Sequence, residues 1–408
     1  MTVDSRTSSR SADEPKASIP FALWVLIAVS FFVSLGFGLI APVLPHYAVS
    51  FGVTNTGAAL VVSLYAVARI AFAPVAGILI ERWGERTVYM TGLVVLAAST
   101  LTTAFAASYG ELLAFRSVGG IGSVMFNVAA GALLIRVAPE EIRGRAVGIL
   151  TSSLFLGDFV GPVVGGLLAG FGARLPFVLY GLLLLACALV ILICVRNVHG
   201  HRTNGTSKAP PMLLREAFKD RRYVSSLGSS FATGWANIGA RPTLIPLLVV
   251  STLHSGPFAA GLAMGAFALG NTLTLYAAGA LSDRVGRKPL VIIGLVVGGL
   301  AQLLIGLSPS IVMLCIWSVV AGIGAGVLNP AQQAAVADVI GRDRSGGRVL
   351  AISSMALDCG MVIGPLAAGA ISDHAGFGWA FGVSALLLAG SAVPWLFTRR
   401  AVVAERAA

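Results

Sequence analysis

Long apolar runs alternate with short polar segments along almost the whole chain. Each run is rich in Leu, Val, Ala and Gly and extends over roughly 20 residues, the length at which an α-helix crosses the hydrocarbon core of a bilayer. Transmembrane β-strands would instead show alternating polarity over about 10 residues. The pattern predicts an all-α integral membrane protein with twelve spans. The predicted spans are residues 21–45, 57–80, 88–108, 111–135, 144–170, 175–196, 223–250, 258–281, 290–308, 310–337, 347–372 and 377–398.

Composition agrees with a protein covered by lipid. The chain has 408 residues, of which 57% are hydrophobic and 11% are charged. Soluble domains carry about 25% charged residues. A single water-soluble core could not bury this much apolar surface, so lipid must cover much of it.

Basic residues concentrate on one side of the predicted membrane. The net charge is +11, which in a soluble protein would suggest nucleic acid. All but four of the 28 Lys and Arg lie in the two tails and in the loops after even-numbered spans; the exceptions are Arg69, Arg116, Arg174 and Arg241. Cytoplasmic loops show this bias. It predicts a multi-pass protein of the cell membrane with both termini in the cytoplasm and no nucleic-acid partner. The alternative is a solvated basic face for an acidic partner.

The chain start and the cysteines add little chemistry. Residues 1–20 are polar, and the following apolar run is too long for a signal peptide, so it is expected to be an uncleaved first span. The four cysteines lie inside spans without the spacing of metal ligands, and the five histidines lie in loops or at span ends. We expect no disulfide framework, no metal site and no cofactor.

The two halves of the chain are similar at a constant offset of 202 residues. The run 77–84 matches 279–286, and Asn127 matches Asn329. A repeat of this length with six spans indicates a duplicated bundle, because solenoid repeats are far shorter. The predicted units are an N-terminal tail (1–20), a six-helix bundle (21–196), a cytoplasmic loop (197–222), a second six-helix bundle (223–398) and a C-terminal tail (399–408).

Duplicated bundles place a ligand site between the repeats, near the bilayer midplane, and the repeats move around it. The loops of this chain are too short to hold a separate catalytic domain. The sequence therefore predicts transport of a small molecule.

A loop motif of the form Gly-x-Leu-x-acid-Arg-x-Gly-x-basic joins spans 2 and 3 and recurs between spans 8 and 9. The chain here resembles the major facilitator superfamily, over about residues 21–398. In that family the loop is a conformational latch that does not bind substrate. The resemblance implies latch residues Gly77, Glu81, Arg82, Gly84, Gly279, Asp283, Arg284, Gly286 and Arg287.

The first copy of the loop departs from the family pattern. Glu81 replaces the usual Asp, and Glu85 stands among the basic positions. We expect the Gly residues to allow close helix approach and the basic residues to pair with acids at neighbouring helix ends, such as Asp338. The second latch is expected to be the tighter one.

Span 5 carries a stripe of small residues that another helix can pack against. Its spacing resembles the "antiporter" motif of drug and metabolite exporters in the same family, the twelve-span proton antiporters. The alternative is helix packing without a functional role. The motif residues are Gly148, Gly157, Gly161, Pro162, Gly165 and Gly166.

Ionisable residues at membrane depth are costly, about 2.5–3.5 kcal/mol at a helix centre, and therefore indicate function. Asp158 and Asp358 are the candidate proton carriers. We expect Arg69 to pair with Asp358 and Asp158 to face Asn271 on span 8. A static structural pair is the alternative.

Arg116 belongs to the same proton-coupling set through a resemblance. The spacing Leu112-x₃-Arg116-x₃-Gly120 is similar to the family's proton-transfer motif, but Gly119 stands where the family has Gln. The resemblance therefore implies a role for Arg116 in proton coupling with one element of the motif missing.

Arg241 and several amides are candidates for the substrate cavity. Arg241 could hold an anionic group of the substrate or extend to the outer interface. Buried amides also form ordinary inter-helix hydrogen bonds, and Tyr65 and Trp235 could stack on a flat substrate or simply pack. The cavity candidates are Asn127, Asn237, Arg241, Asn271, Asn329 and Gln333.

These features predict a proton-coupled exporter of small amphipathic organic molecules that works by alternating access, monomeric as is usual in the family. The alternative is a proton symporter or facilitator that imports a sugar or an organic acid. A membrane-embedded enzyme or receptor fits less well, because no acid cluster, nucleophile arrangement or ATP-binding loop is evident. The expected partners are the substrate, protons and the lipid bilayer.

Overall fold

The computed structural model describes residues 20–137, 143–194, 212–341, 344 and 347–398. Regular secondary structure in these residues is helical throughout, so the all-α membrane fold is confirmed. The predicted tails and most of the predicted central loop lie outside the described residues. Also outside the description are the side chains of Ile135, residues 143–145, Val147, Tyr276, Gly279, Ala280, Asp283, Arg284 and Gly347.

We number the transmembrane helices α1–α12. The first half contains α1 (Phe21–Ile40), α2 (Asn55–Trp83), α3 (Glu85–Ala104), α4 (Tyr109–Val137), α5 (Arg143–Ala169) and α6 (Leu175–Cys194). The second half contains α7 (Arg221–Thr233, Gly234–Ala240 and Arg241–Ser251), α8 (Pro257–Val285), α9 (Arg287–Gly306), α10 (Ile311–Ile340), α11 (Gly347–Ala375) and α12 (Phe377–Gly390). Short helices at Leu44–Val49, Leu214–Lys219 and Val393–Leu396 follow α1, precede α7 and follow α12.

Helix α7 differs from a simple apolar span. Eleven described helices are long and apolar enough to cross a membrane, and α7 is not among them. Its middle piece is a π-helix, Gly234–Ala240, and Pro242, which has no N–H to donate, lies two residues after its end. Its first piece is rich in serine, whose hydroxyls bond to backbone carbonyls one turn earlier, as Ser225 does to Arg221. The predicted span at 223–250 is therefore an interrupted helix with a polar stretch.

The internal repeat is visible as the same backbone contact in both halves. Gly92 on α3 packs against Gly122 on α4, where an added Cβ on Gly122 would lie 2.8 Å from the Gly92 carbonyl oxygen. Gly294 on α9 and Gly324 on α10 make the equivalent contact, at 3.0 Å. Each half also has its own large cluster of buried apolar residues. The two halves are therefore separate packing units with matching internal arrangement.

The described arginines define two ends of the molecule. The end that carries Arg82, Arg136, Arg221 and Arg344 is called here the basic face, and the other end the opposite face. Helices α2 and α11 meet near the opposite face, as do α5 and α8. An added Cβ on Gly261 of α8 would lie 2.2 Å from the Pro162 carbonyl oxygen.

A carboxylate joins the two halves at the opposite face. Asp373 of α11 accepts hydrogen bonds from the backbone N–H groups of Asn55 and Thr56, both at 2.9 Å, and from the Thr56 hydroxyl at 2.6 Å. The first N–H groups of a helix have no partner within the helix. Asp373 therefore caps α2 from the other half of the molecule.

The predicted linker between the halves contains structure near its end. Helix Leu214–Lys219 packs Ala217 against a cluster that includes Tyr223 and Val336 of the second half. Glu216 forms an ion pair with Arg344 at 2.5 Å. The second packing unit therefore begins by Met212, ten residues or so before the predicted boundary.

Candidate transport cavity

A cavity of about 510 Å³ lies between the halves. Helices α1, α2, α4 and α5 line one side, and α7, α8, α10 and α11 line the other. A second cavity of about 650 Å³ runs along α7, α10 and α11 and reaches Leu350, near the basic face. Both cavities are lined by Thr233, Asn329, Gln333 and Leu357, so they lie side by side along these residues. Together they extend toward the basic face, while the contacts described above close the opposite face.

Most of the predicted proton-coupling and substrate-cavity residues meet at this cavity. Those that line it are Arg69, Arg116, Asp158, Asn237, Arg241, Asn271, Asn329 and Gln333, and Pro162 of the span 5 motif lines it too. Asn127 does not line it, and its Nδ2 donates to the Ser123 carbonyl oxygen one turn earlier at 2.8 Å. Asp358 is half-buried beside the lining residue Leu357.

Asp158 is held by a serine from another helix. The Ser34 hydroxyl of α1 lies 2.6 Å from Asp158 Oδ1 and 2.8 Å from the Leu154 carbonyl oxygen. Asp158 and Asn271 line the same cavity from opposite halves, and the expected facing of their side chains stays a prediction. Among the described cavity-lining residues, Asp158 is the only carboxylate.

The span 5 motif places Asp158 by close packing. Added Cβ atoms on Gly157, Gly161 and Gly165 would lie 2.2–2.7 Å from backbone atoms of α1. Gly166 instead faces α8, where its Cβ would lie 2.7 Å from the Pro257 carbonyl oxygen, and Gly148 has open space around it. Most of the motif therefore sets helix contacts, three of them to the helix that carries Ser34.

Arg69 and Asp358 lie near each other without touching. Asp358 is within electrostatic range of Arg69. Among the ion pairs of the described residues, none joins these two side chains. The structure thus brings the predicted partners close across the α2–α11 boundary, with no direct contact in this conformation.

Arg116 is 4% exposed and stacks on an aromatic ring. Its guanidinium carbon is 4.5 Å from the ring centroid of Tyr65, which also lines the cavity. Of the two aromatic candidates, only Tyr65 lies at the cavity. Trp235 donates its indole N–H to Ser384 at 3.1 Å inside the second half.

Arg241 is 6% exposed and lines the cavity, so it is enclosed by protein and does not extend to a membrane interface. Its guanidinium carbon is 3.2 Å from the ring centroid of Phe267, and its Nη2 donates to the Asn237 carbonyl oxygen at 3.3 Å. The Asn237 side chain accepts a long hydrogen bond, 3.4 Å, from Gln302, which is fully buried on α9. Nothing in the sequence pattern singled out this contact between Gln302 and the π-helical segment.

The two latch loops form ion pairs of opposite polarity. Glu85 pairs with Arg136 in the first half, and Arg287 pairs with Asp338 in the second. Arg287 is the residue equivalent to Glu85 at the offset of 202, and Asp338 is equivalent to Arg136. The acid and the base have therefore exchanged places between the two halves. The expected pairing of a basic latch residue with Asp338 is present.

Some of the remaining latch residues have side chains that the structure describes, and the others do not. Gly84 and Gly286 have φ of +80° and +91°, a region that favours glycine, and each ends one helix and begins the next. Glu81 and Arg82 are exposed. Gly77 has open space where a close helix approach was expected. The expected roles of Gly279, Asp283 and Arg284 lie outside the described side chains.

A helical membrane protein with two matching halves around a cavity that contains charged and amide side chains has the architecture of a transporter. The model of the Major Facilitator Superfamily matches residues 26–240 and 226–408. The chain belongs to this superfamily, and it is a membrane transporter and not an enzyme.

Relatives and solved structures agree with this assignment. The chain is 27% identical over 351 residues to the multi-drug resistance efflux pump PmrA homolog of Lactococcus lactis subsp. lactis (strain IL1403), covering 84% of this chain and 86% of that protein. It is 26% identical over 192 residues to the quinolone resistance protein NorA of Staphylococcus aureus (strain Mu50), covering 47% and 50%. A bacterial homolog of the human lysosomal transporter Spinster, solved in an inward-facing and occupied conformation, matches with TM-score 0.77 at 17% identity, over 92% of this chain and 96% of that chain.

Proposed function

We propose that this transporter exports small amphipathic organic molecules across the cell membrane in exchange for protons. The observation that carries the proposal is Asp158, the one described carboxylate in the lining of a cavity between the two halves. The names of two relatives, a multi-drug efflux pump and a quinolone resistance protein, support export of such compounds.

Alternating access supplies the coupling. The cavity is followed by a second cavity on the side of the basic face, and contacts between the halves lie at the opposite face. The excess of Lys and Arg at the basic face favours a cytoplasmic orientation for it, with both termini on that side. Movement of the halves would then expose Asp158 to each side in turn, and a carboxylate can take up a proton on one side and release it on the other. Arg69, Arg116 and Asp358 are the charged residues that act on this step.

Everted membrane vesicles test the proposal. A quinolone such as norfloxacin is the probe, and an inside-acid proton gradient is expected to drive its accumulation. Asp158→Asn is expected to remove the response to the gradient while downhill exchange of the quinolone persists, because the amide fills the same space without carrying a proton. The measurement is accumulated quinolone with and without a protonophore.

Glu111→Gln is the matched control. Glu111 lies at the opposite face, where it accepts the Ala107 N–H at 2.9 Å, outside the cavity lining. This variant should keep full gradient-driven accumulation. If Asp158→Asn keeps it too, Asp158 is not the proton carrier, and Asp358→Asn is the next variant. Accumulation driven only by an outside-acid gradient would indicate the symporter instead.

A further inference from the structure

Arg241 carries a positive charge with which no carboxylate of the described residues forms an ion pair. Its Nε and Nη1 have no hydrogen-bond acceptor. The Asn237 carbonyl oxygen and the face of Phe267 are its recorded polar and aromatic partners. An aromatic face attracts a cation but leaves its N–H groups without acceptors. A guanidinium this deeply buried lacks an anion.

The lining of the cavity has an excess of positive charge. Arg69, Arg116 and Arg241 line it, against Asp158 alone, and the positive charges stay in excess even when Asp358, which lies near Arg69, is counted. Arg116 also has an Nε without an acceptor, and one oxygen of Asp158 already accepts the Ser34 hydroxyl. An organic cation entering this space would meet mostly like charges, whereas an anion would find counter-charges already in place.

The remainder of the wall suits a flat apolar body. Large apolar side chains from both halves surround the charged residues: Phe37, Phe155, Ile238, Met264 and Met361. The volume of about 510 Å³ falls in the range of sites for drug-sized ligands. Met side chains adapt to ligands of different shape. The chemistry around Arg241 therefore fits an aromatic ring system joined to a single acidic group.

We propose that Arg241 is the anion subsite of this cavity and that the transported compounds are aromatic carboxylates of drug-like size. The guanidinium carries N–H donors in the planar arrangement that carboxylates bind best, and its Nε and Nη1 are covered by protein in this conformation. Phe267 and the Asn237 carbonyl hold the guanidinium in place. The proposal rests on the proposed function insofar as the cavity holds the transported molecule.

Three xanthene dyes test the subsite by equilibrium binding. Fluorescein and rhodamine 110 carry a free carboxylate, and rhodamine 123 is the methyl ester of rhodamine 110. Binding is measured by fluorescence anisotropy on the full-length protein in nanodiscs of uncharged lipid, without any gradient. The wild type is expected to bind rhodamine 110 at least about tenfold more tightly than its ester, and fluorescein more tightly still.

Arg241→Gln is expected to weaken binding of both carboxylates about tenfold and to leave rhodamine 123 within about twofold. Arg241→Lys keeps the charge without the planar donors and should fall between. Arg174→Gln makes the same charge change at an exposed residue outside the cavity lining and should change nothing. If Arg241→Gln does not fold, the affinities of the wild type for rhodamine 110 and for its ester still test the proposal. The affinities of Arg241→Lys for the same dyes test it as well.

Equal affinity for rhodamine 110 and its ester in the wild type would overturn the proposal, as would tighter binding of the ester or no binding of any dye. An equal loss for all three dyes in Arg241→Gln would also overturn it. The outcome is separate from that of the vesicle experiment. If the wild type binds rhodamine 110 more tightly than its ester but does not accumulate the quinolone in the vesicles, the proposed proton exchange is wrong. The proposed anion subsite at Arg241 is then still supported.

Discussion

Gly161 of α5 lies against the backbone of α1 with no room for a side chain. An added Cβ would be 2.5 Å from the Leu35 carbonyl oxygen and 2.8 Å from the Gly38 Cα. Backbone atoms cannot turn aside as a flexible side chain can, so Gly161→Ala must separate the two helices. We expect it to lower stability by about 1–3 kcal/mol, as overpacking does, measured as a lower thermal unfolding midpoint in detergent.

Gly148→Ala is the control within the same motif. Gly148 lies in the same helix but has nothing within 4 Å of its Cβ position. Alanine also favours a helix over glycine by about 1 kcal/mol. This variant should therefore be neutral or slightly stabilising, and an equal loss of stability in both variants would show that the contact with α1 is not the cause.

The sequence predicted the positions of some residues of the candidate site and not of others. Asp158 and Arg241 were found because a charge inside an apolar run is rare and costly. Ser34, which bonds to Asp158, gave no signal, because serine is common in membrane helices and the α1–α5 pairing is a matter of tertiary packing. Asn127 and Asn329 occupy equivalent positions in the repeat, yet only Asn329 lines the cavity.

At the scale of helices, the two latch ion pairs differ in their relation to the helix dipoles. Glu85 lies in the first turn of α3 and Arg136 in the last turn of α4, where each charge is favoured. Arg287 begins α9 and Asp338 lies near the end of α10, where each is disfavoured. This argues against the expectation that the second latch is the tighter one.

Exchanging the charges tests this difference. The double variant Arg287→Glu with Asp338→Arg keeps an ion pair and aligns both charges with the dipoles, so we expect it to gain about 1 kcal/mol of stability. Glu85→Arg with Arg136→Glu should lose a similar amount. Thermal unfolding at low ionic strength gives the comparison, and both effects should shrink in about 1 M salt. Equal effects of the two exchanges would contradict the role of the dipoles.

Helix α7 shows where element prediction from the sequence stops. A run of suitable length was recognised at 223–250, but its interruption depends on how the backbone closes its hydrogen bonds around Pro242 and on support from Gln302 of α9. That support crosses from one helix to another. Composition and periodicity within one segment cannot report it.

At the scale of the whole molecule, the duplicated arrangement was predictable and the conformation was not. The repeat in the sequence corresponds to the matching contacts of Gly92 with Gly122 and of Gly294 with Gly324. Which face is closed depends on contacts between the halves, such as that of Asp373 with α2, which would break in the proposed transport cycle. Such contacts are polar and few. The pattern of hydrophobic residues along the chain therefore does not indicate them.

The contact of Asp373 with Thr56 offers a direct test of alternating access. The hydroxyl of Thr56 lies 2.6 Å from Asp373, so cysteines at these two positions should be joined by a short bifunctional methanethiosulfonate, which forms a reducible disulfide with each thiol, in a background with the four native cysteines replaced. Joining α2 to α11 would hold the opposite face closed. Quinolone transport in proteoliposomes should then stop and should return when a reducing agent opens the link.

The control joins two positions within one half at the same face. Ala107 and Glu111 are in contact through the Ala107 N–H and both lie in the first half, which moves as one body in the proposed cycle. A link between cysteines at these positions should leave transport intact. If the link between positions 56 and 373 also leaves transport intact, the halves do not part at the opposite face, and a cycle in which they open it to admit protons and release substrate is wrong.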